Sequence, residues 1–431
     1  MYWEEKIETI GRKEIEKLQI ELFNETIERA RRSPFYSKVF KKKKVPEKIT
    51  SVEEIKEFPF TTKEDLRKSY PFGMLATDIE KIVRIHGSSG TTGKSTLVFH
   101  TKNDIERWAD LIARCLYMIG VRDCDVFQNM MSYGLFTGGL GLHYGAEKIG
   151  ALVIPIGSGN TQKQIEFLID LKTTTIHITP SYLFYLAHVA ENMGLSPSKD
   201  FYLKRAIVGA EPHSESTRKK LEDIFKIKIF NCYGLSEMNG PGVAFECPEQ
   251  KGLHLWEDHY FAEIIDPETG KTLPDGEEGE LVLTTLKREG MPLIRYRTRD
   301  ITKIIKGKCK CGRTHKKIAR IKGRTDDMFI VKGVNIFPSQ IEGILMDIPE
   351  VDKNYRIILE RKEGLDILRI QIEIKRNYFT GDINQLRNLQ EKIKENLRDA
   401  ILVSPVVELV EPGSLPASTG KAQRVIDKRR L

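Results

Sequence analysis

Hydrophobic and polar positions follow two different spacings along the chain. Over residues 4–32 apolar side chains recur at helical intervals, which predicts one or two helices: Ile7, Ile10, Ile15, Leu18 and Leu22. From about residue 80, short β-branched runs that predict strands alternate with helical stretches: "IVRIHG", "ALVIPI", "TTTIHITP", "RAIVGAEP" and "KIKIFNCYG". Between them, "NDIERWADLIARCLYMIG" predicts a helix capped by Asn103 or Asp104 and ended by Gly120. This alternation predicts an α/β fold with largely parallel sheets.

The pattern changes twice towards the C-terminus. Residues 260–305 read as short strands and turns, which predicts a more antiparallel, β-rich unit. A domain boundary is expected near 323–327, in "KGRTDD", because a hairpin, a helix and a last strand follow it. We therefore expect a large N-terminal domain of α/β sheets plus a small β-rich unit, residues 1–325. A small α+β domain, residues 326–431, should follow.

Composition narrows the class of protein. The chain has 431 residues, 40% of them hydrophobic and 30% charged, and a net charge of +8. The positive excess suits an enzyme with polyanionic ligands but would also suit nucleic-acid binding. The N-terminus is acidic at once and no long apolar run exists, so we expect neither a signal peptide nor a membrane span. Six cysteines, too few for a disulfide framework, predict a cytoplasmic protein.

The stretch "HGSSGTTGKS" (86–95) has the composition of a phosphate-binding loop. It misses the P-loop spacing, since five residues rather than four separate Gly87 from Gly93. It is also followed by "TLVFHT", a predicted strand, where a P-loop would open a helix. We therefore expect a strand–strand turn that surrounds phosphates with N–H and hydroxyl groups. A plain surface loop is the alternative.

Three further segments carry candidate chemistry. "NCYGLSEMNGPG" follows a predicted strand and contains one carboxylate, Glu237, which is well placed to hold Mg²⁺ beside phosphates. "YRTRD" ends in Asp300, a candidate for ribose hydroxyls. "PASTGKAQR" places Lys421 in a loop near the C-terminus. Taken alone, each of these residues is as well explained by a solvated surface loop.

In order, "SSGTTGKS", "YGLSE", "YRTRD", "GRTDD" and "STGKAQR" resemble the adenylate-forming superfamily of acyl-CoA synthetases and adenylation domains. More narrowly, "GLFTGGLGLHYGAEKIGALVIPIGSGNT", "CKCGRTH" and "GRTDDMFIVKGVNIFPSQIE" resemble the phenylacetate–CoA ligase family over essentially the full length. One departure is "CKC", where many relatives have a proline between the cysteines. The resemblance implies ATP-dependent ligation of an aryl-acetic acid to coenzyme A through an acyl-adenylate, with release of AMP and pyrophosphate.

The resemblance also implies residue roles. Nucleotide contacts are expected from Ser88, Ser89, Gly90, Thr91, Thr92, Gly93, Lys94, Gly209, Ala210, Glu211, Pro212, Asn231, Tyr233, Gly234, Asp300 and Arg324. Glu237 would hold Mg²⁺, and Lys421 would reach the carboxylate and α-phosphate from the small domain. That domain is expected to rotate about a hinge at Asp326 between the two half-reactions. The acid pocket is expected at Tyr133, Phe136 and Gly138, although both aromatics suit a plain core equally well.

The cysteines suggest a metal. Cys309 and Cys311, with Cys247 and His254, form a set of ligand types suited to structural Zn²⁺. The two halves are about 55 residues apart, so spacing cannot show that they meet. His315 is a rival ligand, and free thiols in turns are the alternative. Cys232 is expected in a strand, and Cys115 and Cys124 are expected to be buried.

Two other functions stay open at this point. One is a related adenylating enzyme with a non-CoA acceptor, such as a deazaflavin cofactor. The other is a zinc-containing nucleic-acid binder, which lacks the expected basic stripe with interleaved aromatics. For the favoured function we expect ATP, Mg²⁺, coenzyme A and structural Zn²⁺, an aryl carboxylic acid as partner, and neither nucleic acid nor membrane. Relatives of this kind often pair, so a homodimer is also an expectation.

Overall fold

The computed structural model describes residues 1–88, 96–325, 327–331, 334–362, 365–378, 383–416 and 424–429. Its α-helices are α1 (Glu5–Glu8), α2 (Arg12–Ala30), α3 (Pro34–Lys43), α4 (Lys63–Lys68), α5 (Lys102–Met118), α6 (Thr137–Ile149), α7 (Thr161–Asp170), α8 (Pro180–Asn192), α9 (Pro197–Asp200), α10 (Glu215–Phe225), α11 (Pro338–Asp347) and α12 (Ile383–Ile401). Short 3₁₀ helices lie at Val52–Glu57, Ile79–Lys81, Ser236–Met238 and Arg376–Tyr378.

The strands follow the predicted alternation. They are β1 (Ile82–Ser88), β2 (Thr96–Thr101), β3 (Val126–Asn129), β4 (Leu152–Ile154), β5 (Thr175–Ile178), β6 (Arg205–Gly209), β7 (Lys228–Leu235), β8 (Gly240–Glu246), β9 (Leu253–Leu255), β10 (Tyr260–Ile265), β11 (Gly279–Thr285), β12 (Tyr296–Thr302), β13 (Ile304–Ile305), β14 (Lys317–Ile318), β15 (Gly323–Arg324), β16 (Phe329–Val331), β17 (Val334–Ile336), β18 (Val351–Lys362), β19 (Leu365–Ile374), β20 (Val406–Val410) and β21 (Val425–Asp427).

A nine-stranded sheet forms the centre of the large domain. Its order is β13-β14-β9-β8-β7-β6-β5-β3-β4. Strands β4, β3, β5, β6 and β7 pair in parallel, whereas β8, β9, β14 and β13 continue antiparallel. Helices between the parallel strands bury their apolar faces on the sheet, and β5 is buried along its whole length. The α/β prediction for this region is confirmed.

Two smaller β units flank this sheet. Strands β10, β11, β12 and β15 form the antiparallel, β-rich unit expected over residues 260–305. Strands β1 and β2 form a separate antiparallel hairpin, with Ser88 opposite Thr96. The hairpin confirms that the loop at 89–95 joins two strands and does not open a helix.

The small C-terminal domain has its own hydrophobic core. Strands β20-β19-β18-β21 form its sheet, and the antiparallel pair β18–β19 is the predicted hairpin. Helix α12 buries Leu389, Ile393, Leu397 and Ile401 against this sheet. The predicted boundary itself, residue 326, lies outside the described residues.

One helix cap differs from the prediction. Helix α5 begins at Lys102 with Thr101 as its N-cap, two residues before the earlier of the two predicted caps. The Thr101 hydroxyl accepts the Asp104 N–H at 3.1 Å, and the Asp104 carboxylate accepts the Thr101 N–H at 3.0 Å. This reciprocal capping box makes Asp104 the third helical residue rather than the cap.

Among the described residues, no helix combines the length and apolar character that crossing a bilayer requires.

Candidate functional site

Glu237 lies in a buried turn at the end of strand β7. Its side chain is 5% exposed. The Nζ of Lys63 lies 3.6 Å from its Oε1, and the Thr96 hydroxyl donates to the same oxygen at 3.5 Å. The Glu237 side chain thus contacts both Thr96, the first residue of strand β2, and Lys63, the first residue of helix α4. A buried carboxylate beside one lysine is suited to holding a divalent cation while limiting the net negative charge.

Lys63 was not found by sequence reasoning. It follows the N-cap Thr62, whose side chain forms a capping box with Asp65. The segment "PFTTKEDLR" signals a helix start, but nothing local shows that this start faces Glu237, 174 residues further on. Only tertiary packing brings the two together.

The structure describes the two strands of the β1–β2 hairpin, which is called the phosphate hairpin here after its predicted role. Ser88 ends strand β1, and Thr96 opposite it contacts Glu237. The other predicted phosphate-binding residues, Ser89, Gly90, Thr91, Thr92, Gly93 and Lys94, lie outside the described residues. The described base of the hairpin, at Thr96, therefore lies beside Glu237.

Tyr233, Asp300 and Arg324 form a connected group. The Tyr233 hydroxyl donates to Oδ2 of Asp300 at 2.6 Å, and Nη1 of Arg324 lies 3.5 Å from its Oδ1. Asp300 and Arg324 are opposite each other on strands β12 and β15. Burial, and then the charge of Asp300, raise the pKa of Tyr233 well above its usual range, so this hydroxyl stays a donor. A carboxylate so arranged can accept hydrogen bonds from a diol.

The predicted adenine segment, Gly209–Pro212, follows strand β6 beside this group. Gly209 lies opposite Cys232, and a Cβ on Gly209 would stand 2.6 Å from the Cys232 carbonyl oxygen. Ala210 adopts a positive φ of 66°. The Glu211 carboxylate accepts hydrogen bonds from the Ser181 hydroxyl at 2.8 Å and from the Ser181 backbone N–H at 3.2 Å. The segment is therefore held in a sharp turn at the carboxyl edge of the sheet, where α/β folds bind ligands.

Two further positions predicted to contact nucleotide lie on strand β7. Asn231 is buried, and its N–H donates to Oε2 of Glu246 at 2.8 Å. Gly234 approaches strand β8 so closely that a Cβ would stand 1.9 Å from the Gly240 carbonyl oxygen. This position therefore excludes any side chain.

The predicted acid-pocket residues surround the start of helix α6. Tyr133 is half-buried, and its hydroxyl accepts from Asn129 at 2.9 Å and lies 3.2 Å from Nδ1 of His143. Phe136 is 40% exposed, and a Cβ on Gly138 would stand 2.3 Å from its ring. The exposed Phe136 is not an ordinary core aromatic. The Gly87 N–H donates to the Leu135 carbonyl at 2.9 Å, which places this helix start next to the phosphate hairpin.

Cys247, His254, Cys309 and Cys311 meet in one cluster, with their ligand atoms within 4.8 Å of one another. The Sγ atoms of Cys247 and Cys309 are 3.6 Å apart, and Sγ of Cys311 lies 3.3 Å from Nε2 of His254. A tetrahedral Zn²⁺ with ordinary bond lengths would separate two sulfurs by about 3.8 Å, and sulfur and nitrogen by about 3.6 Å. These two distances therefore lie within a few tenths of an ångström of the tetrahedral values, and the four ligand types are those of a structural Zn²⁺ site.

Hydrogen bonds decide between the two candidate histidines. Nδ1 of His254 lies 3.3 Å from the His315 carbonyl oxygen, to which it donates, so its Nε2 presents a lone pair to the thiols. His315 uses both nitrogens elsewhere: Nδ1 accepts the Glu257 N–H at 3.0 Å, and Nε2 donates to the Ile7 carbonyl at 2.9 Å. The rival ligand His315 is therefore excluded by its own hydrogen bonds.

Two of the three thiols in the cluster, those of Cys309 and Cys311, are disposed to ionise, whereas its hydrogen bond to Cys311 and burial raise the pKa of Cys247. A hydrogen bond from Cys247, and then the neighbouring His254, lower the pKa of Cys311 to about 2. His254 also lowers the pKa of Cys309. Of the remaining cysteines, Cys232 lies in strand β7 and Cys115 is buried, as predicted. The expectation for Cys124 is wrong, because this thiol is exposed in the connection between α5 and β3.

The small domain contacts the large one beside the adenine segment. The Thr217 hydroxyl donates to Oε1 of Glu342 at 2.7 Å, and Nζ of Lys353 donates to the Phe184 carbonyl at 3.1 Å. The Arg424 guanidinium lies 4.2 Å from the Tyr355 ring centroid. Lys421, three residues before Arg424, and the predicted hinge Asp326 lie outside the described residues.

Comparison with known proteins agrees with this arrangement. A family model described as AMP-binding enzyme matches residues 25–286, and one described as AMP-binding enzyme C-terminal domain matches residues 333–429. The phenylacetate–coenzyme A ligase of Thermus thermophilus is 41% identical over 100% of both chains. This chain belongs to the phenylacetate–coenzyme A ligase family. The family member from Escherichia coli is also 41% identical, over 99% of this chain and 97% of its own.

Solved structures add information on the conformation. A 2-hydroxyisobutyryl-CoA ligase in its postadenylation state, in complex with 2-HIB-AMP, superimposes with a TM-score of 0.94 at 27% identity. The alignment covers 100% of this chain and 93% of that ligase. The same ligase in its thioesterification state, with CoA, gives a TM-score of only 0.74 over the same shares of both chains. This family member therefore has its parts arranged as in the postadenylation state of that relative.

Proposed function

We propose that the chain ligates an aryl-acetic acid, phenylacetate or a close analogue, to coenzyme A in two half-reactions. In the first, a carboxylate oxygen attacks the α-phosphorus of ATP, and the bond to pyrophosphate breaks. In the second, the CoA thiolate attacks the acyl carbon, and the bond to AMP breaks. Full-length membership of the phenylacetate–coenzyme A ligase family is the observation that carries this proposal.

The nucleotide is assigned to the sheet edge described above. Asp300, oriented by the Tyr233 hydroxyl and Arg324, takes the ribose hydroxyls. Gly209–Pro212, Asn231 and Gly234 lie against the adenine and α-phosphate. The hairpin loop that begins at Ser88 encloses the leaving phosphates, with Lys94 as its cation.

Glu237 is assigned to Mg²⁺. A buried carboxylate beside the hairpin is a fitting donor, and Lys63 balances its charge when the ion is absent. When bound there, Mg²⁺ would supply positive charge to the polyphosphate. The chain itself contributes the fixed position of Glu237 and a site from which water is largely excluded.

The acid is assigned to the space beside Tyr133, Phe136 and Gly138. The hydrogen bonds that the Tyr133 hydroxyl forms with Asn129 and His143 fix its ring, and the missing side chain of Gly138 leaves room for the Phe136 ring. Since this helix start bonds to Gly87, the acid would lie next to the phosphates. An apolar pocket of this kind separates similar ring acids by only about 1–3 kcal/mol per methylene-sized change.

The small domain is assigned to both half-reactions. In the postadenylation-like arrangement Glu342 of the small domain contacts Thr217 of the large domain. Arg424 acts on the same Glu342, and Lys421 lies only three residues before Arg424. Lys421 then contacts the carboxylate and α-phosphate, and rotation about Asp326 withdraws it so that CoA can enter. Lys421→Ala should stop acyl-AMP formation and spare thioester formation from supplied acyl-AMP. Equal loss of both would refute the assignment.

A structural Zn²⁺ is assigned to Cys247, His254, Cys309 and Cys311, on the distances and hydrogen bonds given above. It would join the loop after strand β8 to the turn before strand β14. The second of these holds the N-terminal segment, since the Arg313 guanidinium donates to Glu8 at 2.6 Å and the Tyr2 hydroxyl donates to the Cys311 carbonyl at 3.2 Å.

The decisive experiment incubates the protein with Mg-ATP and a panel of ring-bearing and short aliphatic acids, with and without CoA. Chromatography then resolves nucleotides and thioesters. AMP and an acyl-CoA that form together, for a ring-bearing acid and only with CoA, are the expected result. AMP release independent of CoA would point to another acceptor, which the relatives named as phenylacetate–coenzyme A ligases do not support. ADP as the product would refute adenylation altogether.

A further inference from the structure

Arg288 differs from the other buried arginines among the described residues. Five arginines are buried in the described part of the chain, and Arg288 is one of them. Four of them pair with a carboxylate: Arg114 with Asp258, Arg218 with Glu215, Arg295 with Glu263, and Arg313 with Glu8. Arg288 is 3% exposed and, within the described part of the chain, forms no ion pair. A buried cation without a paired anion is costly, so its retention calls for a reason.

Among the described residues, the Arg288 side chain forms one hydrogen bond, and this bond leads to the candidate site. Its Nη1 donates to the Glu237 carbonyl oxygen, so the guanidinium holds the turn whose carboxylate faces Lys63. Its Nε and Nη2 are buried and have no partner among the described residues. A cavity of about 10 Å³ adjoins Arg288, which leaves room for at most one water. A water could accept hydrogen bonds there, but it would not balance the charge.

Asp104, and then Tyr260 and Glu237, favour the charged form of Arg288, but within the described part of the chain neither carboxylate forms an ion pair with it. The Asp104 oxygens already accept three backbone N–H groups, those of Thr101, Glu289 and Gly290, at 2.8–3.0 Å. Tyr260 is a neutral phenol, because burial raises its pKa.

Two histidines of the β1–β2 hairpin lie close enough to Arg288 for its charge to act on both. His86 and His100 face each other across strands β1 and β2, with ring centroids 5.4 Å apart. Burial first, and then Arg288 among other charges, lower the pKa of both, so they are neutral near pH 7. Nε2 of His86 and both ring nitrogens of His100 are buried without a described partner. The base of the hairpin is thus a cluster of nitrogen-bearing groups beside the positive charges of Arg288 and Arg84.

We propose that Arg288 is a positioning residue for the adenylation half-reaction: it fixes the turn that carries Glu237 and supplies a permanent positive charge behind the polyphosphate. The inference rests on the proposed function, because it assumes that a polyphosphate binds at this hairpin. The β- and γ-phosphates would add negative charge near a cation that has no paired carboxylate among the described residues, so Mg-ATP affinity should depend on Arg288 and the affinity for AMP, which lacks these phosphates, should not.

The test measures Mg-ATP and AMP affinities by titration calorimetry, without an acid substrate. Arg288→Met should weaken Mg-ATP binding by about tenfold to a hundredfold, the range for loss of a charge-assisted interaction. AMP affinity should stay within about threefold of wild type. Arg114→Lys is the control, since it alters an equally buried arginine that pairs with Asp258. It should change neither the Mg-ATP affinity nor the AMP affinity.

Arg288→Lys provides a readout that a merely structural role would not move. A lysine buried here should have a lowered pKa, so its charge is lost as pH rises towards about 10. Its Mg-ATP affinity should then fall with pH while AMP affinity stays flat, whereas wild type shows no such fall. This variant keeps the inference testable if Arg288→Met fails to fold.

The outcomes are separable. A folded Arg288→Met with wild-type Mg-ATP affinity would overturn the inference. So would an Arg288→Lys whose ratio of Mg-ATP to AMP affinity does not change with pH. Wild-type protein that binds Mg-ATP and shows this dependence on Arg288, yet forms no acyl-CoA from any acid, would overturn the proposed function and leave the role of Arg288 standing. Wild-type protein that does not bind Mg-ATP would overturn both.

Discussion

Removing one thiol of the Cys/His cluster is the perturbation whose magnitude follows most directly from the structure. Cys309→Ser removes one of the proposed zinc ligands from a half-buried turn and replaces sulfur by oxygen without changing the size of the side chain much. Cys309 and Cys247 are 62 residues apart in the chain, so a metal that joins them closes a loop of that length. The chain-entropy relation for a cross-link of this size gives about 4 kcal/mol of stabilisation at 25 °C.

That free energy predicts a measurable change in melting temperature. At about 2.1 cal/mol/K per residue, a unit of roughly 325 residues has an unfolding entropy of about 0.7 kcal/mol/K. Loss of 4 kcal/mol should then lower the Tm by roughly 6 °C. The same turn holds the N-terminal segment through Tyr2 and Arg313, so amide exchange should also rise over residues 1–10.

The assay combines elemental analysis with calorimetry. Wild-type protein should contain one zinc per chain, and Cys309→Ser should contain none and melt at the lower temperature. Cys124→Ser is the matched control, because that exposed thiol lies outside the cluster and should change neither quantity. Purified wild-type protein that contains no zinc, and whose Tm does not respond to added zinc or to a chelator, would refute the reasoning.

Three other predictions follow from single contacts. Tyr233→Phe removes the donor to Asp300 and should raise the KM for ATP about tenfold or more, as a charge-assisted hydrogen bond is lost; an unchanged KM would argue against the ribose assignment. Gly234→Ala forces a Cβ to within 1.9 Å of a backbone oxygen and should cost about 1–3 kcal/mol in urea unfolding, whereas Gly343→Ala, with only an ordinary contact at 3.8 Å, should cost far less. Burial raises the pKa of Glu342 above its ordinary 4.5, so docking of the small domain is fully favoured below that pH and weakens as pH rises through the raised value. Small-angle scattering between about pH 5 and 8 should show the domain loosening in wild type and not in Glu342→Gln; an identical pH response in both would count against this contact.

The order of the motifs made the family recognisable, but several neighbours of the site have no local signal. Lys63 and Arg288 contact the Glu237 turn from helix α4 and from the connection after strand β11. Neither stands in a recognisable motif, and their sequence separations from Glu237 are 174 and 51 residues. Side chains that act through packing cannot be located from spacing, because the fold alone sets which distant segments touch.

The zinc candidates show the same division on a smaller scale. The sequence supplied the ligand types and favoured His254, yet it left His315 as a rival ligand. The structure separates them. Both ring nitrogens of His315 form hydrogen bonds with backbone groups, whereas Nε2 of His254 faces the thiols. Likewise, Asp104 resembled a helix cap until the reciprocal bonds with Thr101 showed where α5 begins.

Local sequence alone specifies the secondary structure and the order of the functional motifs along the chain. Periodicity set the alternation of strands and helices, and loop composition set the hairpin at 89–95 as a strand–strand turn, because both depend on neighbours within a few residues. Tertiary structure decided which of these pieces meet: the Glu237 turn with Lys63 and Arg288, Tyr233 with Asp300, and the two halves of the Cys/His cluster. Those contacts join segments 50 to 175 residues apart, where burial, charge compensation and hydrogen-bond satisfaction within one packed fold, rather than local propensity, fix the geometry.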